Sequence, residues 1–362
     1  MKYGNYPDLT RVKKILVIKL RHHGDVLLTS PVFSNLQAAI PQAEIHAMVY
    51  QDTIPMLDGH PAIQKFLAYN RDWKKLGLFW KVLKEFSLLK RVRKEKYDLV
   101  INLTEGDRGA IAAFVSGAKI CVGIDPEGKG FRGKRKIYSH IVKNCKTPRH
   151  TVEKNLDALR RIGIFPTAEE RDLFFAIPEE SKKRVEKLHP RGYFLLHPVS
   201  RWKFKCWPTS LVAKLIRDLH QRGEKIVITA SPDTSELQMV DEILKLAPEV
   251  PVLNLAGKTS LKDLGALIAM SRCLVCVDSV PLHMSSALKI PTVVLFGPTS
   301  EINWGPWQNP KARVVVQNLP CRPCFMDGCG GSKKSDCLLT LPVSRVLSAI
   351  DTLAHEPARA LL

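Results

Sequence analysis

The sequence predicts an α/β protein of two doubly wound parallel sheets, and three observations carry that prediction. Short apolar runs alternate with longer amphipathic ones, the rhythm of parallel strands joined by helices. The rhythm breaks once, in a charged stretch holding Pro166, Pro178 and Pro190, and then restarts. A length of 362 residues, 45% hydrophobic, is enough for two cores of ordinary size. The expected division is residues 1–175, residues 176–340, and a closing helix and tail over 341–362.

The elements follow in order. The opening residues to about Thr10 read as a flexible extension. The run 14–20, KILVIKL, reads as a buried strand. A helix is expected over 30–40 with Pro31 in its first turn, then a strand over 44–50. Residues 76–96 read as a long basic helix whose apolar positions (Leu76, Phe79, Trp80, Leu83, Phe86, Leu89) recur at helical spacing. Strands are expected over 97–103 and 119–123. Residues 125–136, rich in Gly, Lys and Arg, read as an exposed basic loop, followed by a helix over 150–162. After the break, strands are expected over 193–197, 225–230, 273–277 and 291–296. Helices are expected over 207–222, 233–246, 261–270, 282–288 and 342–353, with Gly223 ending the first of them.

The balance of 55 Lys and Arg against 35 Asp and Glu leaves a net charge of +20. Such a charge speaks about partners rather than fold. Nucleic acid, anionic lipid surfaces and phosphorylated small molecules are all acidic enough to use it. The plainer reading is a solvated basic surface. No run of apolar residues reaches the length of a membrane helix. The N-terminus lacks the apolar core of a secretory signal, so export is not expected. Nine cysteines without such a signal do not imply a disulfide framework.

In open α/β sheets ligands bind at the carboxyl ends of strands, so the loops there are where chemistry is sought. The loop after the first strand is RHHGD rather than GxGxxG, which removes the main support for hydride transfer. Gly257-Lys258-Thr259 lacks the earlier glycine of a phosphate-binding loop, and neither HExxH nor GxSxG occurs.

Four constellations remain. Gly24-Asp25 sits between a strand end and a helix. Asp25 either accepts a proton from an attacking hydroxyl or caps a turn. The run His197-Pro-Val-Ser200-Arg201-Trp-Lys203-Phe-Lys205 sets three cations beside a helix N-terminus, chemistry suited to a diphosphate leaving group. The alternative is a basic surface turn. Asp278 and Ser279, and likewise Pro298 and Thr299, lie where two further strands end; Asp278 and Ser279 are suited to sugar hydroxyls, and all four are candidates for donor binding. His283 is either a ligand contact or a core residue. Finally, Cys321, Cys324, Cys329 and Cys337 are read either as a structural zinc set or as loop thiols without metal. Beside these, Lys129, Arg132, Lys134, Arg135 and Lys136 form a basic stretch able to meet phosphates of an acceptor or of anionic lipid; a solvated loop is the alternative.

Taken together and in order, these motifs resemble the ADP-heptose:lipopolysaccharide heptosyltransferases. Arg-His-His-Gly-Asp-Val is similar to their N-terminal Gly-Asp motif. His-Pro-Val-Ser-Arg…Lys-Cys-Trp-Pro is similar to the motif opening their second domain. Val-Asp-Ser-Val-Pro-Leu-His and Leu-Phe-Gly-Pro-Thr are similar to their donor-site motifs, and Cys-Arg-Pro-Cys recurs in relatives. The resemblance implies the GT-B fold, two Rossmann-like domains facing a central cleft, with acceptor domain first and donor domain second. It implies inverting transfer from ADP-L-glycero-D-manno-heptose without an obligatory metal. Asp25 then matches the catalytic base, Lys205 and Ser200 the residues near the donor phosphates, and Asp278 and His283 the donor-sugar motif. Glu236 matches a ribose contact. Many relatives carry Asp-Thr-Gly where this chain has Asp278-Ser279-Val280; the Ser-Val-Pro form is more similar to the branch adding the third, side-branch heptose. The resemblance also implies a phosphorylated lipopolysaccharide-core acceptor. It places the protein in the cytoplasm, peripheral at the inner membrane of a Gram-negative bacterium, with its basic acceptor domain against that anionic surface. Two other readings are a GT-B transferase with a different nucleotide sugar or acceptor, and a basic nucleic-acid-binding protein. The second lacks a recognisable motif or interleaved aromatics, so no nucleic-acid partner is expected.

Overall fold

The computed structural model describes residues 6–188 and 192–355. The start of the N-terminal extension, Pro190, and the end of the tail lie outside the described residues. The chain divides into two compact units between Ala176 and Ile177.

The first unit runs β1 (Lys14–Lys19), α1 (His23–Leu27), α2 (Ser30–Ala39), β2 (Glu44–Tyr50), β3 (Lys65–Tyr69), α3 (Leu78–Lys94), β4 (Leu99–Asn102), α4 (Asp107–Ser116), β5 (Ile120–Ile124), β6 (His140–Val142) and α5 (Thr151–Arg160). Its sheet is parallel throughout, in the order β3-β2-β1-β4-β5-β6. Ile15 sits in register with Ile45 on one side and Leu99 on the other. From Ile15 onward every residue of β1 is buried, because strands flank it on both edges and helices cover both faces. That is why the central strand reads as an unbroken apolar run rather than an alternating one.

The second unit runs α6 (Glu179–Leu188), β7 (Phe194–His197), α7 (Thr209–Gln221), β8 (Ile226–Ile228), α8 (Thr234–Lys245), β9 (Val252–Asn254), α9 (Leu261–Met270), β10 (Cys273–Val277), α10 (Val280–Leu288), β11 (Thr292–Phe296), α11 (Glu301–Trp304), β12 (Ala312–Val316), α12 (Asp336–Leu339) and α13 (Val343–His355). Its parallel sheet has the order β12-β11-β10-β7-β8-β9, the same winding read from the other edge. The core gathers Leu196, Val275 and Leu295 from the sheet with Ile216 and Val346 from the covering helices. The closing helix α13 is thus part of this core.

In such a winding the chain leaves the middle of the sheet in opposite directions. The two central strands, β1 with β4 and β7 with β10, therefore send their following loops apart and open a crevice at their carboxyl ends. The fold itself nominates those two places.

Two sequence expectations are corrected. The apolar positions at the start of α3 do not face the core: Leu76, Phe79, Trp80, Leu83 and Phe86 are exposed, and the helix instead buries Leu88 and Val92. Residues 125–136 are not uniformly exposed either. Lys134 is buried at the start of a short 3₁₀ turn (Lys134–Ile137), its ammonium donating to the carbonyl of Glu105 and, at 3.1 Å, to Asp107. It is a structural cation tying this segment to the start of α4, and no acceptor or lipid contact can be assigned to it.

Candidate functional site

In the first unit the crevice is built around Asp25. It lies half-buried in the first turn of α1, whose N-cap is His22. Thr29 takes the N-cap position of α2, so Asp25 does not cap that helix. The loop is braced from outside. Arg71 donates to the carbonyl of Arg21 at 2.8 Å, pairs with Asp52 at 3.0 Å and stacks over Tyr50 at 4.0 Å. His23 bonds the Asp52 carbonyl at 2.9 Å. Arg71 and Asp52 carry no signal in the sequence, because β2 and the turn after β3 bring them here only in the folded unit.

Beneath the loop, at the last position of β1, Lys19 is buried and donates at 3.2 Å to both the Leu103 carbonyl and Asn155. Burial pulls its ammonium down to about 8, against the attraction of the Asp25 carboxylate. Asn155 in turn donates to the Leu28 carbonyl at 3.0 Å. In the sequence Lys19 is one residue of a buried strand; its place beside Asp25 follows from the sheet and from α5.

In the second unit the crevice between β7 and β10 is bridged directly. Lys205, from the loop after β7, pairs at 2.7 Å with Asp278, the first residue after β10. Thr299, from the loop after β11, donates to the same carboxylate oxygen at 2.7 Å. Three strand ends thus converge on one carboxylate, itself 5% exposed. Ser200 is buried in the same loop as Lys205, its hydroxyl accepting from the amide of Trp202 at 3.4 Å. An ammonium has three donors, so Lys205 can hold Asp278 and phosphate oxygens together. Arg201 and Lys203 are exposed on the rim, with Arg201 stacked 5.4 Å over Trp202.

Ser279 is the N-cap of α10, and Val280 is its first residue. Val280 is absent from the residues of positive φ. Its backbone is one that any L-residue adopts, so no glycine is required there. His283 is buried one turn into the helix, and Pro298 is buried beside Thr299. Glu236 is buried in the first turn of α8, where its carboxylate accepts from the amide of Ser231 at 2.9 Å and so fixes the loop after β8.

Burial pushes the Cys337 thiol up to about 11, with Cys329 and Cys324 near enough to add to it. Among the described residues no group of three or more His, Cys, Asp or Glu is placed to hold a metal ion. Cys337 is buried on α12, Cys321 and Cys329 are exposed, and the Cys329 sulfur accepts from the Asp336 amide at 3.4 Å. What this segment does is mechanical. Ser335 donates to the Phe204 carbonyl at 2.7 Å, and Trp207 donates to the Leu341 carbonyl at 3.1 Å, which clamps the Lys205 loop from behind. Arg322, between two of the cysteines, donates to the Gly297 carbonyl at 2.6 Å and the Thr299 carbonyl at 3.4 Å and pairs with Glu301 at 3.0 Å. Its side chain is 5% exposed. Cysteine spacing drew attention to this run; the residue that shapes the site is the arginine.

Two doubly wound units, each carrying polar residues at the switch point of its sheet, form the GT-B-type architecture. Residues 85–334 match glycosyltransferase family 9 (heptosyltransferase), and the chain belongs to that family. It is 34% identical over 349 residues to lipopolysaccharide heptosyltransferase 3 of Escherichia coli K12, covering 94% of this chain and 97% of that one. A second E. coli protein of the same name is 32% identical over 340 residues, covering 92% and 97%. Among solved structures, a family 9 glycosyltransferase of Veillonella parvula superposes with a TM-score of 0.81 at 21% identity over 97% of this chain and 99% of its own. The E. coli ADP-heptose lipopolysaccharide heptosyltransferase II superposes with a TM-score of 0.75 at 24% identity over 94% and 98%.

Proposed function

We propose that this heptosyltransferase transfers L-glycero-D-manno-heptose from ADP-L-glycero-D-manno-heptose to a heptose of the lipopolysaccharide inner core, adding the third, side-branch heptose with inversion. The observation carrying the reading is the Lys205–Asp278–Thr299 cluster: a cation and sugar-binding oxygens at the ends of three strands, where a nucleotide sugar needs both. The E. coli relatives named for the third heptosyltransferase support the acceptor assignment, and a related E. coli heptosyltransferase, WaaC, solved with ADP, supports the nucleotide.

In this mechanism the first unit binds the acceptor and the second the donor. The acceptor hydroxyl oxygen attacks the anomeric carbon of heptose from the face opposite the diphosphate. As that bond forms, the bond from the anomeric carbon to the diphosphate oxygen breaks, and its electron pair leaves with ADP. Asp25 takes the hydroxyl proton. Lys205, aided by Arg201, Lys203 and the Ser200 hydroxyl, stabilises the charge growing on the diphosphate. Asp278, Ser279, His283 and the Pro298-Thr299 turn hold the heptose, and Glu236 holds the ribose. The protein works at the cytoplasmic face of the inner membrane of a Gram-negative bacterium, where Lys129, Arg132, Arg135 and Lys136 face phosphates of the acceptor and of lipid.

The test is incubation with ADP-heptose and a heptose-truncated lipopolysaccharide, reading ADP release and product mass. The expected product is one heptose heavier, and Asp25→Ala abolishes it while ADP still binds. Bound ADP with no product across several truncated acceptors would move the reading to another donor or acceptor.

A further inference from the structure

α3 carries two stripes. Lys81, Glu85, Leu88 and Val92, spaced at i, i+4, i+7 and i+11, share the face turned into the unit. Phe79, Val82, Leu83 and Phe86, spaced at i, i+3, i+4 and i+7, form the other, and they are 68%, 54%, 42% and 64% exposed. Leu78 and Trp80 widen it at 77% and 60%. In its first half the helix therefore turns charge inward and apolar side chains outward. Glu85 is held there by the Tyr69 hydroxyl and by Arg108 at 3.7 Å. An apolar surface of this continuity marks an interaction site rather than chance exposure.

The charge around the stripe says what covers it. Between Arg71 and Lys96 there are ten Lys and Arg against three acidic residues. All three carboxylates are already engaged: Asp72 by Lys75, Glu85 as above, and Glu95 by Lys14 and Lys65. The field over the stripe is uncompensated and positive. A second copy of the chain would set like charge against like. An anionic bilayer offers what both features need, acyl chains for the aromatic residues and phosphates for the cations.

We propose that the first half of α3 is a membrane-docking helix, with Phe79, Leu83 and Phe86 in the acyl boundary of an anionic phospholipid surface and Lys74, Lys84 and Lys90 on its phosphates. This rests on the peripheral-membrane reading above and names a surface distinct from residues 129–136. It also explains the inverted first half of the helix, where the docked face sets the polarity, while the second half packs Leu88 and Val92 on the core.

The test is flotation of the full chain with vesicles of phosphatidylcholine alone or with about one-third phosphatidylglycerol. The wild type floats with the anionic vesicles. Phe79→Ser/Leu83→Ser/Phe86→Ser binds them at least about tenfold more weakly, with unchanged thermal unfolding, since all three are exposed. Its turnover of a water-soluble, deacylated acceptor is unchanged. Lys84→Glu/Lys90→Glu loses the preference for anionic lipid. The proposal is overturned if the serine variant floats like the wild type. It is also overturned if the wild type turns over the soluble acceptor yet binds no vesicles, in which case the transferase reading stands alone. A dimer converted to monomer by the serine variant, with flotation unaffected, would assign the stripe to a second copy and overturn it too. Flotation lost in the variant while the wild type releases no ADP with any acceptor would support docking and remove the transferase assignment.

Discussion

At the residue scale, the site depends on groups that act on what they touch and groups that hold those in place. Lys205 belongs to the first kind. Lys205→Ala is expected to lower kcat by about 10²-fold or more, because a preorganised cation aimed at developing charge is worth several kcal/mol in a partly enclosed site. Single-turnover ADP release checks this. Arg322 belongs to the second kind, since its guanidinium holds two carbonyls of the turn that delivers Thr299 to Asp278. Arg322→Met leaves those carbonyls and Glu301 unpaired. It should cost about 2–3 kcal/mol in urea unfolding and raise the donor KM more than it lowers kcat. An unchanged KM would reduce the arginine to a structural role. Asp25, Lys205 and Asp278 were legible from their place after strands; Arg322, Arg71 and Lys19 were not. A residue that positions another needs no motif of its own, only a partner distant in sequence.

At the scale of elements, the eight central strands were all expected, and the four that were not are β3, β6, β9 and β12. These are the four sheet edges. An edge strand bonds on one side only and is half-covered, so it is mixed in character: none of the three residues of β9 is fully buried, and only one of the five of β12 is. α6 lies within the charged stretch that reads as a boundary, because only Ser181 and Val185 of its ten residues are buried. α3 is legible as a helix with an apolar stripe, but apolar spacing shows that a stripe exists and not what it meets. The two stripes can be told apart by truncation. Leu88→Ala should cost about 2–4 kcal/mol, while Leu83→Ala should stay within about 0.5 kcal/mol. Equal costs in denaturant titrations would mean that the outward stripe is packed after all.

At the scale of the whole molecule, pH acts on each unit through a buried histidine. His60 in the first unit and His197 in the second are both pulled down to about 4 by burial. The Ala62 amide donates to Nδ1 of His60 at 3.2 Å, and His197 bonds Thr229 at 3.0 Å. The unfolded chain takes up these protons below its ordinary value near 6.5, and the folded one resists until about 4. Their contribution is therefore present above about 6.5 and is lost as pH falls toward 4. The net charge of +20 grows over the same range and adds self-repulsion. Unfolding midpoints between pH 7 and 4 should fall, less steeply in His197→Asn than in the wild type. Lys19 acts in the same direction, in a higher pH window. Its ammonium loses its proton near 8 in the fold and above 10 when unfolded, so this group adds stability as pH rises between those values. A Lys19→Met chain should lack that rise when pH 7.5 and pH 9.5 are compared.

The sequence alone determined the two-fold α/β rhythm, the central strands and the order of the loops that carry chemistry. It could do so because a strand buried on both faces must be continuously apolar, and because the ends of such strands are where a doubly wound sheet opens. Tertiary structure alone decided which of those polar residues meet. It drew Lys205, Asp278 and Thr299 onto one carboxylate and turned Lys134 inward. It also exposed the apolar stripe of α3. Each of those outcomes depends on contacts between segments far apart in the chain, set by sheet order and helix packing, which local spacing does not encode.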